Sequence, residues 1–487
     1  MYTVGELINN HISDSSVTKN NIIRLLNIDR STFYQILKGK RLPSAAQLGT
    51  ILNAISIPSY EKKHISEVYM SEKLSVSEYS NRKAIINLID TLREGIISDA
   101  LKYDDITSEK ALSDNGAVDK APEQSSAANN NSSYSVVLNN RSDIMNFIRN
   151  RFLSKAFDSN DASISIHVPI FYLNHIGFFD TIKMISSNPN SSFISYDHII
   201  CYPAQITTFT DDLIQDFTSY ISFLMSVNAR FNSYYYYDST DTMDLKATLF
   251  PYYIIFQDGL LLMNNTCEKA VFTMDKDIVL LYKNEFDIFK SQLSSIFTNT
   301  KDVETVIPYL LSLPDKTKTY YITYKPGISY LATDELIDEF IPEELREMCR
   351  IHYRAFQHTD YKEFIAAEGL IDFMRGGGLK ELGFNIEANN KEHYAYVAEK
   401  MMSRFGKTLF LLDSDILKIS DNWCIYCIEH EQVVLVPVLK GKRFITITER
   451  NIVEAFTDFF ENITEDVILM NEGNVFELLS KLKDNIK

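Results

Sequence analysis

The sequence predicts a multidomain protein, with a small N-terminal all-α domain of five helices and a large C-terminal α/β (α+β) body of two weakly repeated lobes. Three observations lead to this fold class. The chain has 487 residues, which is enough for two or three domains with separate cores. Apolar residues recur at helical spacing over residues 4–72. From about residue 138 onward, helical stretches alternate with strand-like ones.

Composition and charge restrict the class of protein. Hydrophobic residues make up 45% of the chain, which is typical of a globular protein. No apolar run approaches the ~18–20 residues of a membrane span, and the N-terminus lacks the pattern of a secretory signal. The five cysteines are scattered, which favours free thiols in a reducing cytoplasm. We therefore expect a cytoplasmic protein with no membrane partner.

The five N-terminal helices are predicted from apolar spacing and from helix-start signals. Pro43-Ser44 and Pro58-Ser59 precede the fourth and fifth helices. The residues expected to face the core of the third and fourth helices are Phe33, Ile36, Leu37, Leu48, Ile51, Leu52 and Ile55.

The domain boundaries follow from changes in composition. An amphipathic pattern over 82–102 indicates a connecting helix, and the Ser/Asn/Asp-rich stretch after it has too few large apolar residues to order itself by burial. The predicted organisation is a helical domain (1–72), a connecting helix (73–103), a flexible linker (104–135), a first α/β lobe (136–300) and a second α/β lobe (301–487).

The body contains a weak internal repeat. One unit runs from a helix at 211–228 through four predicted strands, the last being "DIVLLY" (277–282), to a helix at 284–297. The other runs from a helix at 391–405 through four strands to the helix "RNIVEAFTDFFENI". Element order and lengths agree, which predicts two similar lobes.

Charge is unevenly distributed between the domains. The whole chain carries a formal charge of −17, but residues 1–70 hold eight Lys/Arg against five Asp/Glu. Residues 27–44, "NIDRSTFYQILKGKRLPS", are the compact basic segment of this region. An acidic body repels nucleic acid, so a polyanion contact is expected only at the front of the chain.

The basic segment has the layout of two helices joined by a tight turn. It resembles the lambda-repressor/Cro-like (XRE) helix-turn-helix family, whose string of turn, recognition helix, Gly-x-Arg-x-Pro and next helix matches this sequence in register. The resemblance covers residues 4–72. It departs from the family upstream, where Ile23 replaces a small residue and Asn27 replaces glycine. Asn tolerates the left-handed conformation, so the turn is expected to survive. The resemblance implies a transcriptional regulator that binds double-stranded DNA, usually a pseudo-palindromic operator, as a homodimer.

The expected DNA-binding residues follow from their positions in the motif. If Phe33, Ile36 and Leu37 face the core, the remaining side chains of the third helix face outward. Arg suits guanine and Gln suits adenine in the major groove, whereas the start of the second helix and the segment after the third suit phosphate. The alternative is a solvated helix face with no partner. The predicted set is Thr18, Lys19, Arg30, Ser31, Thr32, Tyr34, Gln35, Lys38, Lys40 and Arg41.

The sequence signals for catalytic, metal-binding or ligand-binding residues in the body are weaker than the signal for DNA binding in residues 4–72. Cys424 and Cys427 have CxxC spacing, but on a strand they point to opposite faces, and buried core cysteines are the expectation. His352 and His358 do not share a helix face, so metal binding is not expected there. The Gly loop at 373–381 lacks phosphate-loop spacing and is either a hinge or an anion site. Its candidate ligand-binding residues are Arg375, Gly376, Gly377 and Lys380.

The repeated α/β unit faintly resembles phospholipase D-like domains, which also occur as sensor domains in regulators. Their H-x-K-x4-D motif is absent, since His352 is followed two positions later by Arg354. Tyr234–Tyr237 are expected to be core, with a ligand pocket as the alternative. We therefore expect a non-catalytic body, without cofactor or metal, that senses an unknown small-molecule or protein effector. The competing hypotheses are an enzyme or defence effector with a phosphodiesterase-like body, and an antitoxin-like interaction scaffold.

Overall fold

The computed structural model describes most of the chain. Its elements divide into two compact units, one holding residues 1–93, 207–215 and 298–487 and the other holding residues 94–206 and 216–297. The described residues are 2–103, 134–155, 163–186, 195–203, 211–226, 230–238, 249–300, 318–327, scattered positions between 334 and 350, 361–375, 379–381, 384–386, 391–438, 444–470 and 472–485.

The N-terminal region, here called the head, is the predicted set of five short helices. They are α1 (Val4–Asp14), α2 (Lys19–Leu26), α3 (Arg30–Leu37), α4 (Ala45–Ile55) and α5 (Ser59–Lys73). Capping boxes begin two of them, with Thr3 and Glu6 at α1 and Ser44 and Gln47 at α4. A longer helix, α6 (Val76–Tyr103), follows the head.

The apolar core of the head includes the residues that the helical spacing predicted. Phe33, Leu37, Leu48, Ile51, Leu52 and Ile55 lie in one buried cluster. Helix α1 crosses α3 very closely at Gly5, where a Cβ atom would lie only 2.0 Å from the carbonyl oxygen of Ile36. Only glycine fits this crossing.

Lobe 1, over the residues that the structure describes, combines five helices with eight strands. The helices are α7 (Arg141–Lys155), α8 (Ile170–His175), α9 (Phe178–Ser186), α10 (Asp211–Ser226) and α11 (Lys276–Ser291). The strands are β1 (Ser135–Leu138), β2 (Ser163–His167), β3 (Ser195–Pro203), β4 (Arg230–Asp238), β5 (Tyr252–Phe256), β6 (Gly259–Met263), β7 (Ala270–Thr273) and β8 (Ser294–Thr300). The predicted linker lies almost wholly outside the described residues, and β1 begins at its last position.

A buried polar chain joins β3, β4 and α10 in lobe 1. The hydroxyl of Tyr220 lies 3.0 Å from Nδ1 of His198 and 2.6 Å from Oγ of Ser233. Nε2 of His198 lies 2.7 Å from the carbonyl oxygen of Val168. Burial lowers the pKa of His198 to about 3. The neutral imidazole is therefore a structural link between elements of the lobe.

Lobe 2 has its own helices and strands. The helices are α12 (Ala367–Met374), α13 (Lys391–Arg404), α14 (Arg450–Asn462) and α15 (Glu472–Asn485), with a 3-10 turn at Ile463–Glu465. The strands are β9 (Thr319–Thr323), β10 (Tyr361–Ala366), β11 (Leu379–Glu381), β12 (Phe384–Ile386), β13 (Leu409–Leu412), β14 (Trp423–Ile428), β15 (Gln432–Pro437) and β16 (Phe444–Ile447).

The two lobes share one strand connectivity. In lobe 1, the order β7-β6-β5-β2-β3-β4 combines an antiparallel meander with three parallel strands. In lobe 2, the order β16-β15-β14-β9-β10-β13 repeats this pattern, with the same pairs antiparallel and the same pairs parallel. The repeat expected from the sequence is thus present in the connectivity of the described strands.

One part of the predicted repeat was wrong. The segment "DIVLLY" is not a strand but the first half of α11, and the strand in that place is β7. The helix expected at 284–297 ends at Ser291, and β8 follows it. Asp275 explains the helix, because its carboxylate accepts from the backbone N–H groups of Asp277 and Ile278 and caps the first turn.

The corrected element strengthens the repeat. Helix α14 begins with Glu449, which accepts from the N–H groups two and three residues later, as Asp275 does at α11. When the two helices are aligned at these caps, Phe286 coincides with Phe460, and both are fully buried. The helix that follows the meander therefore packs through the same position in each lobe.

Candidate nucleic-acid interface

Helices α2 and α3 form the predicted helix-turn-helix. Thr18 caps α2 by accepting from the N–H of Asn21, and Asp29 caps α3 by accepting from the N–H of Thr32. Asn27 ends α2 in the left-handed region with φ of 49°. The sequence expectation that asparagine would replace glycine in this turn is confirmed.

Helix α3 separates its buried and exposed residues as predicted. Phe33, Ile36 and Leu37 are buried, whereas Arg30, Ser31, Gln35 and Lys38 are exposed. Tyr34 is half-buried on the same outer side. The exposed face of α3 therefore carries polar side chains between core anchors, which is the arrangement of a recognition helix.

Tyr34 lies between cations from two helices. The ammonium of Lys19 on α2 and the guanidinium of Arg30 on α3 lie 5.9 and 5.8 Å from the centroid of its ring. Lys19 also donates to the side-chain oxygen of Asn9 on α1 at 2.8 Å. These contacts fix both cations beside the outer face of α3. The i, i+4 spacing of Arg30 and Tyr34 is the sequence signal for half of this cluster.

Thr32, one of the predicted DNA-binding residues, stabilises the start of α3. Its hydroxyl donates to Oδ2 of Asp29 at 2.6 Å. This bond and the one from the backbone of Thr32 hold the pKa of Asp29 below its ordinary value. Thr32 therefore fixes the start of α3, and its contact with DNA stays a prediction.

The turn after α3 exposes the remaining basic residues. Gly39 has φ of +65°, and the N–H of Lys40 donates to the carbonyl of Gln35 at 2.9 Å, which ends the helix. Lys38, Lys40 and Arg41 are all exposed. Three cations thus lie at the C-terminal end of α3, and their contact with a phosphate backbone stays a prediction.

The head is held against lobe 2 by polar contacts from α5. Asp415, in the turn after β13, accepts from the ammonium of Lys62 and from the hydroxyl of Ser59, each at 2.6 Å. Burial alone would raise the pKa of Asp415, but the bonds from Lys62 and Ser59 outweigh it and lower that pKa. The carboxylate is therefore ionised where it meets the head.

A buried ion pair and an apolar contact complete this attachment. Arg82 of α6 donates to Asp466 at 3.3 Å, and both side chains are buried. The next residue, Val467, belongs to the apolar core of the head together with Ile65 and Val68 of α5. The core of the head is therefore completed by a residue from lobe 2, which sequence reasoning missed.

Two of the four predicted ligand residues of the Gly loop belong to the described part of the chain. Arg375 is the exposed C-cap of α12, and Lys380 lies in β11, paired with Asn385 of β12. Gly376 and Gly377 lie outside the described residues, so whether the loop binds an anion stays a prediction.

The remaining sequence candidates are structural or lie outside the described residues. Cys424 and Cys427 are buried on β14, the first beside Thr323 of β9 and the second beside Thr457 of α14. They are core cysteines on opposite faces, as expected. His352 and His358 fall outside the described residues. Where the structure is described, it holds no group of three or more His, Cys, Asp or Glu that could ligate a metal ion.

A cleft opens at the carboxyl end of β9 in lobe 2. Its lining includes Tyr324, Lys325, Asp421 and Trp423. The hydroxyl of Tyr324 donates to Asp372 of α12 at 2.7 Å, and burial raises the pKa of this tyrosine. Strands β9, β10 and β13 run parallel, so the cleft and the Asp413–Asp415 turn lie at the same edge of the lobe 2 strands.

Comparisons with known proteins add little to this geometry. No family model matches the chain, and no curated protein matches it. A solved structure of TrmBL2, an archaeal chromatin protein described as having a novel mode of DNA binding, is 9% identical. It covers 57% of this chain and 100% of its own, with a TM-score of 0.22. A TM-score this low does not establish a shared fold. Along the described residues, no helix is long and apolar enough to cross a bilayer.

Proposed function

We propose that this protein is a sequence-specific regulator of transcription that binds double-stranded DNA through the head. The observation that carries the proposal is the outer face of α3, where Lys19, Arg30 and Tyr34 cluster on the basic front of an acidic chain. Such a face offers both charge for phosphate and polar side chains for base edges.

The residues divide into two roles. Arg30 projects from the start of α3 and Gln35 from its second half, where both reach base edges in the major groove. Lys40 and Arg41 follow the helix and contact phosphate. Thr18 at the N-terminus of α2 presents backbone N–H groups to phosphate on the other side of the groove. The operator is expected to be pseudo-palindromic, with two copies of the chain bound.

We further propose that the two lobes form a non-catalytic effector-sensing body in the cytoplasm. The missing H-x-K-x4-D pattern supports the absence of phosphodiesterase chemistry. The cleft beside Lys325 and Trp423 supports lobe 2 as the effector site, because α/β folds bind ligands beyond the carboxyl ends of parallel strands. An effector there would act on the turn that holds Lys62 of the head.

Substitutions in the full-length chain test the DNA proposal. Operator sites are first selected from a random duplex pool, and binding is then measured on selected and scrambled duplexes at several salt concentrations. Gln35→Ala should lose about 1–3 kcal/mol on the selected site only, whereas Lys40→Ala should weaken both duplexes alike and flatten the salt slope. Lys276→Ala, which removes an exposed lysine of lobe 1, is the control.

Two outcomes contradict the proposal. If the pool yields no preferred sequence, the head does not read bases. If Gln35→Ala and Lys276→Ala behave alike on the selected site, the outer face of α3 is not the reading surface.

A further inference from the structure

The cleft of lobe 2 is lined by two side chains of opposite charge. Lys325 follows the carboxyl end of β9, and Asp421 lies just before β14. Among the residues that the structure describes, neither of them forms an ion pair, either with the other or with a third side chain. Both are partly exposed, so both charges are available to a ligand in the cleft.

The hydroxyl groups of the cleft are engaged within lobe 2, but one buried donor is not. Thr323 donates to a backbone carbonyl at 2.8 Å, Tyr324 donates to a carboxylate of α12 at 2.7 Å, and Ser420 accepts from a backbone N–H at 3.1 Å. Trp423 is only 5% exposed, and its indole N–H donates to no group in the part of the chain that the structure describes. A buried donor without an acceptor destabilises a protein, and a ligand oxygen in the cleft would satisfy this one.

The repeat shows that the lobe can form without these side chains. Strands β2 and β9 have five residues each, and they can be aligned end to end. In this register, lobe 1 has an uncharged residue at each corresponding position. The counterparts of Lys325, Asp421 and Trp423 are Pro169, Phe250 and Tyr252. The lysine, the aspartate and the indole are therefore features of lobe 2 alone and not requirements of the shared fold.

The electrostatics of the cleft restrict the charge of a ligand. Burial, the hydrogen bond to Asp372 and the charges of Glu368 and Asp421 all raise the pKa of Tyr324, so its hydroxyl stays protonated. These acidic groups repel a multiply charged anion such as a phosphate, whereas Lys325 repels a polycation. A ligand with one negative and one positive group fits both conditions.

The space in the cleft restricts the size of a ligand. It measures about 330 Å³, including the part open to solvent, which is at the low end for small-molecule sites. Val438 and the ring of Trp423 add apolar surface to the lining. The cleft therefore suits a small zwitterion with an apolar portion.

We propose that the cleft binds a free α-amino acid. Its carboxylate accepts from the ammonium of Lys325 and from the indole N–H of Trp423, and its ammonium group donates to Asp421. Its side chain lies against Val438. The inference rests on the proposed function in taking the cleft as the effector site, and it adds the chemical class of the effector.

Helix α12 connects this cleft to the attachment of the head. A Cβ atom at Gly369 would lie only 1.7 Å from the carbonyl oxygen of Tyr324, so the helix packs directly on the backbone of the cleft. One residue earlier, the N–H of Glu368 donates to Oγ of Ser414 at 3.2 Å, beside Asp415. A ligand that displaces Tyr324 therefore also displaces α12 and the turn that holds α5.

The single tryptophan of the protein gives a direct measurement of binding. Trp423 lines the cleft, so its fluorescence should change when each standard L-amino acid is titrated into the full-length protein. At least one should bind with a dissociation constant between about 1 μM and 1 mM. It should bind about tenfold or more tighter than its methyl ester, which lacks the carboxylate charge, and than its N-acetyl derivative, which lacks the ammonium charge.

Two charge substitutions assign the contacts. Lys325→Met should weaken binding of the free amino acid about tenfold or more and leave binding of the methyl ester unchanged, because the ester has no carboxylate for the lysine. Asp421→Asn should act in the same way on the free amino acid and the N-acetyl derivative. Lys407→Met and Glu431→Gln remove exposed charges at the opposite end of the lobe 2 strands. These controls should change the affinity about twofold or less.

The proposal is overturned if no standard amino acid binds at millimolar concentration. It is also overturned if the two derivatives bind as tightly as the free amino acid, since the charges would then not be recognised. Equal affinities for the charge variants and the controls would place the site elsewhere in the protein.

The inference and the proposed function fail in different ways, because binding to the cleft is measured without DNA. Amino-acid binding that leaves the affinity for a selected duplex unchanged keeps the site and removes the sensing role. Sequence-selective DNA binding by a protein that binds no amino acid keeps the regulator and removes the site. Ser414→Ala should keep the amino-acid affinity within about twofold and reduce the effect of the ligand on DNA binding. An undiminished effect in this variant would overturn the connection through α12.

Discussion

Lobes 1 and 2 have the same strand connectivity but leave different faces open. Helices α11 and α14 begin with equivalent carboxylate caps and bury the equivalent phenylalanines Phe286 and Phe460. Yet α14 is buried on two faces and α11 on one. Where Leu281 stands exposed on α11, the close-packed α14 has Ala455. The difference teaches that a duplicated fold preserves its inner packing, while the outer face of each repeat is free to diverge.

The largest expected effect comes from placing a charge at the same position in both lobes. Ile452→Asp buries an unpaired carboxylate, since Ile452 is 2% exposed, and should cost more than about 4 kcal/mol of folding free energy. Ile278→Asp, its counterpart, should change the stability of the monomer by less than about 0.5 kcal/mol. Chemical denaturation at low protein concentration measures both. Similar losses would mean that the two helix faces do not differ in burial as described.

The buried ion pair between α6 and lobe 2 should give the next largest effect. Arg82→Ala leaves Asp466 buried without its cation and should cost about 3 kcal/mol. Replacing both partners, as Arg82→Met with Asp466→Leu, should recover most of that loss, because neither residue then needs a charge partner. Lys318→Ala, which removes an exposed cation paired with Glu429 in lobe 2, should change the stability far less, because solvent screens an exposed ion pair. A double variant no more stable than Arg82→Ala would show that the pair is not the source of the loss.

Val467 belongs to lobe 2 along the chain but packs in the core of the head, so its substitution tests the head separately from the rest of lobe 2. Val467→Ala should cost about 1–2 kcal/mol, and the loss should appear in the head. Hydrogen exchange should then quicken in α1, α4 and α5. Val475→Ala, in the separate core cluster of lobe 2, should quicken exchange in α13 and α15 and spare the head. Exchange that rises in lobe 2 for both variants would contradict the attachment.

The smallest expected effect is the pH dependence of the Lys62–Asp415 contact. Because the pKa of Asp415 is lowered in the folded protein, the contact stabilises the fold above the ordinary carboxyl pKa. Its contribution is lost as the pH falls through the folded value. Asp415 is partly exposed, so Asp415→Asn should cost only about 0.5–1 kcal/mol at pH 7. The difference in unfolding free energy between the variant and the parent should close in strong acid. A difference that widens there would contradict the predicted direction of the pH dependence.

The sequence could predict what short-range spacing determines. The apolar positions of the head, the left-handed turn at Asn27 and the outward face of α3 all follow from residues a few positions apart. The strand prediction for 277–282 failed because Ile278, Val279, Leu280 and Leu281 form a continuous β-branched and apolar run, which resembles a buried strand. On a helix, four consecutive apolar residues point in four directions around the axis. In this segment only the capping residue Asp275 indicates a helix.

Contacts between distant segments could not be predicted. The cluster at Tyr34 needs Lys19, which is brought near by the angle between α2 and α3. The attachment of the head to lobe 2 depends on Asp415, Asp466 and Val467. Each of these residues is hundreds of positions away from its contacts along the chain. None of these three stands out locally, since acidic and aliphatic residues are common throughout the chain.

The position of Val467 in the core of the head has a consequence for synthesis. The five helices of the head are translated well before Val467, which belongs to their core but lies nearly 400 positions beyond α5. At about 5–20 residues per second, synthesis of the segment between α5 and Val467 takes roughly 20 to 80 seconds. During this interval the nascent head lacks one side chain that its core contains in the finished protein. A chain truncated before lobe 2 is therefore expected to be a poor competitor for the sites of the complete protein.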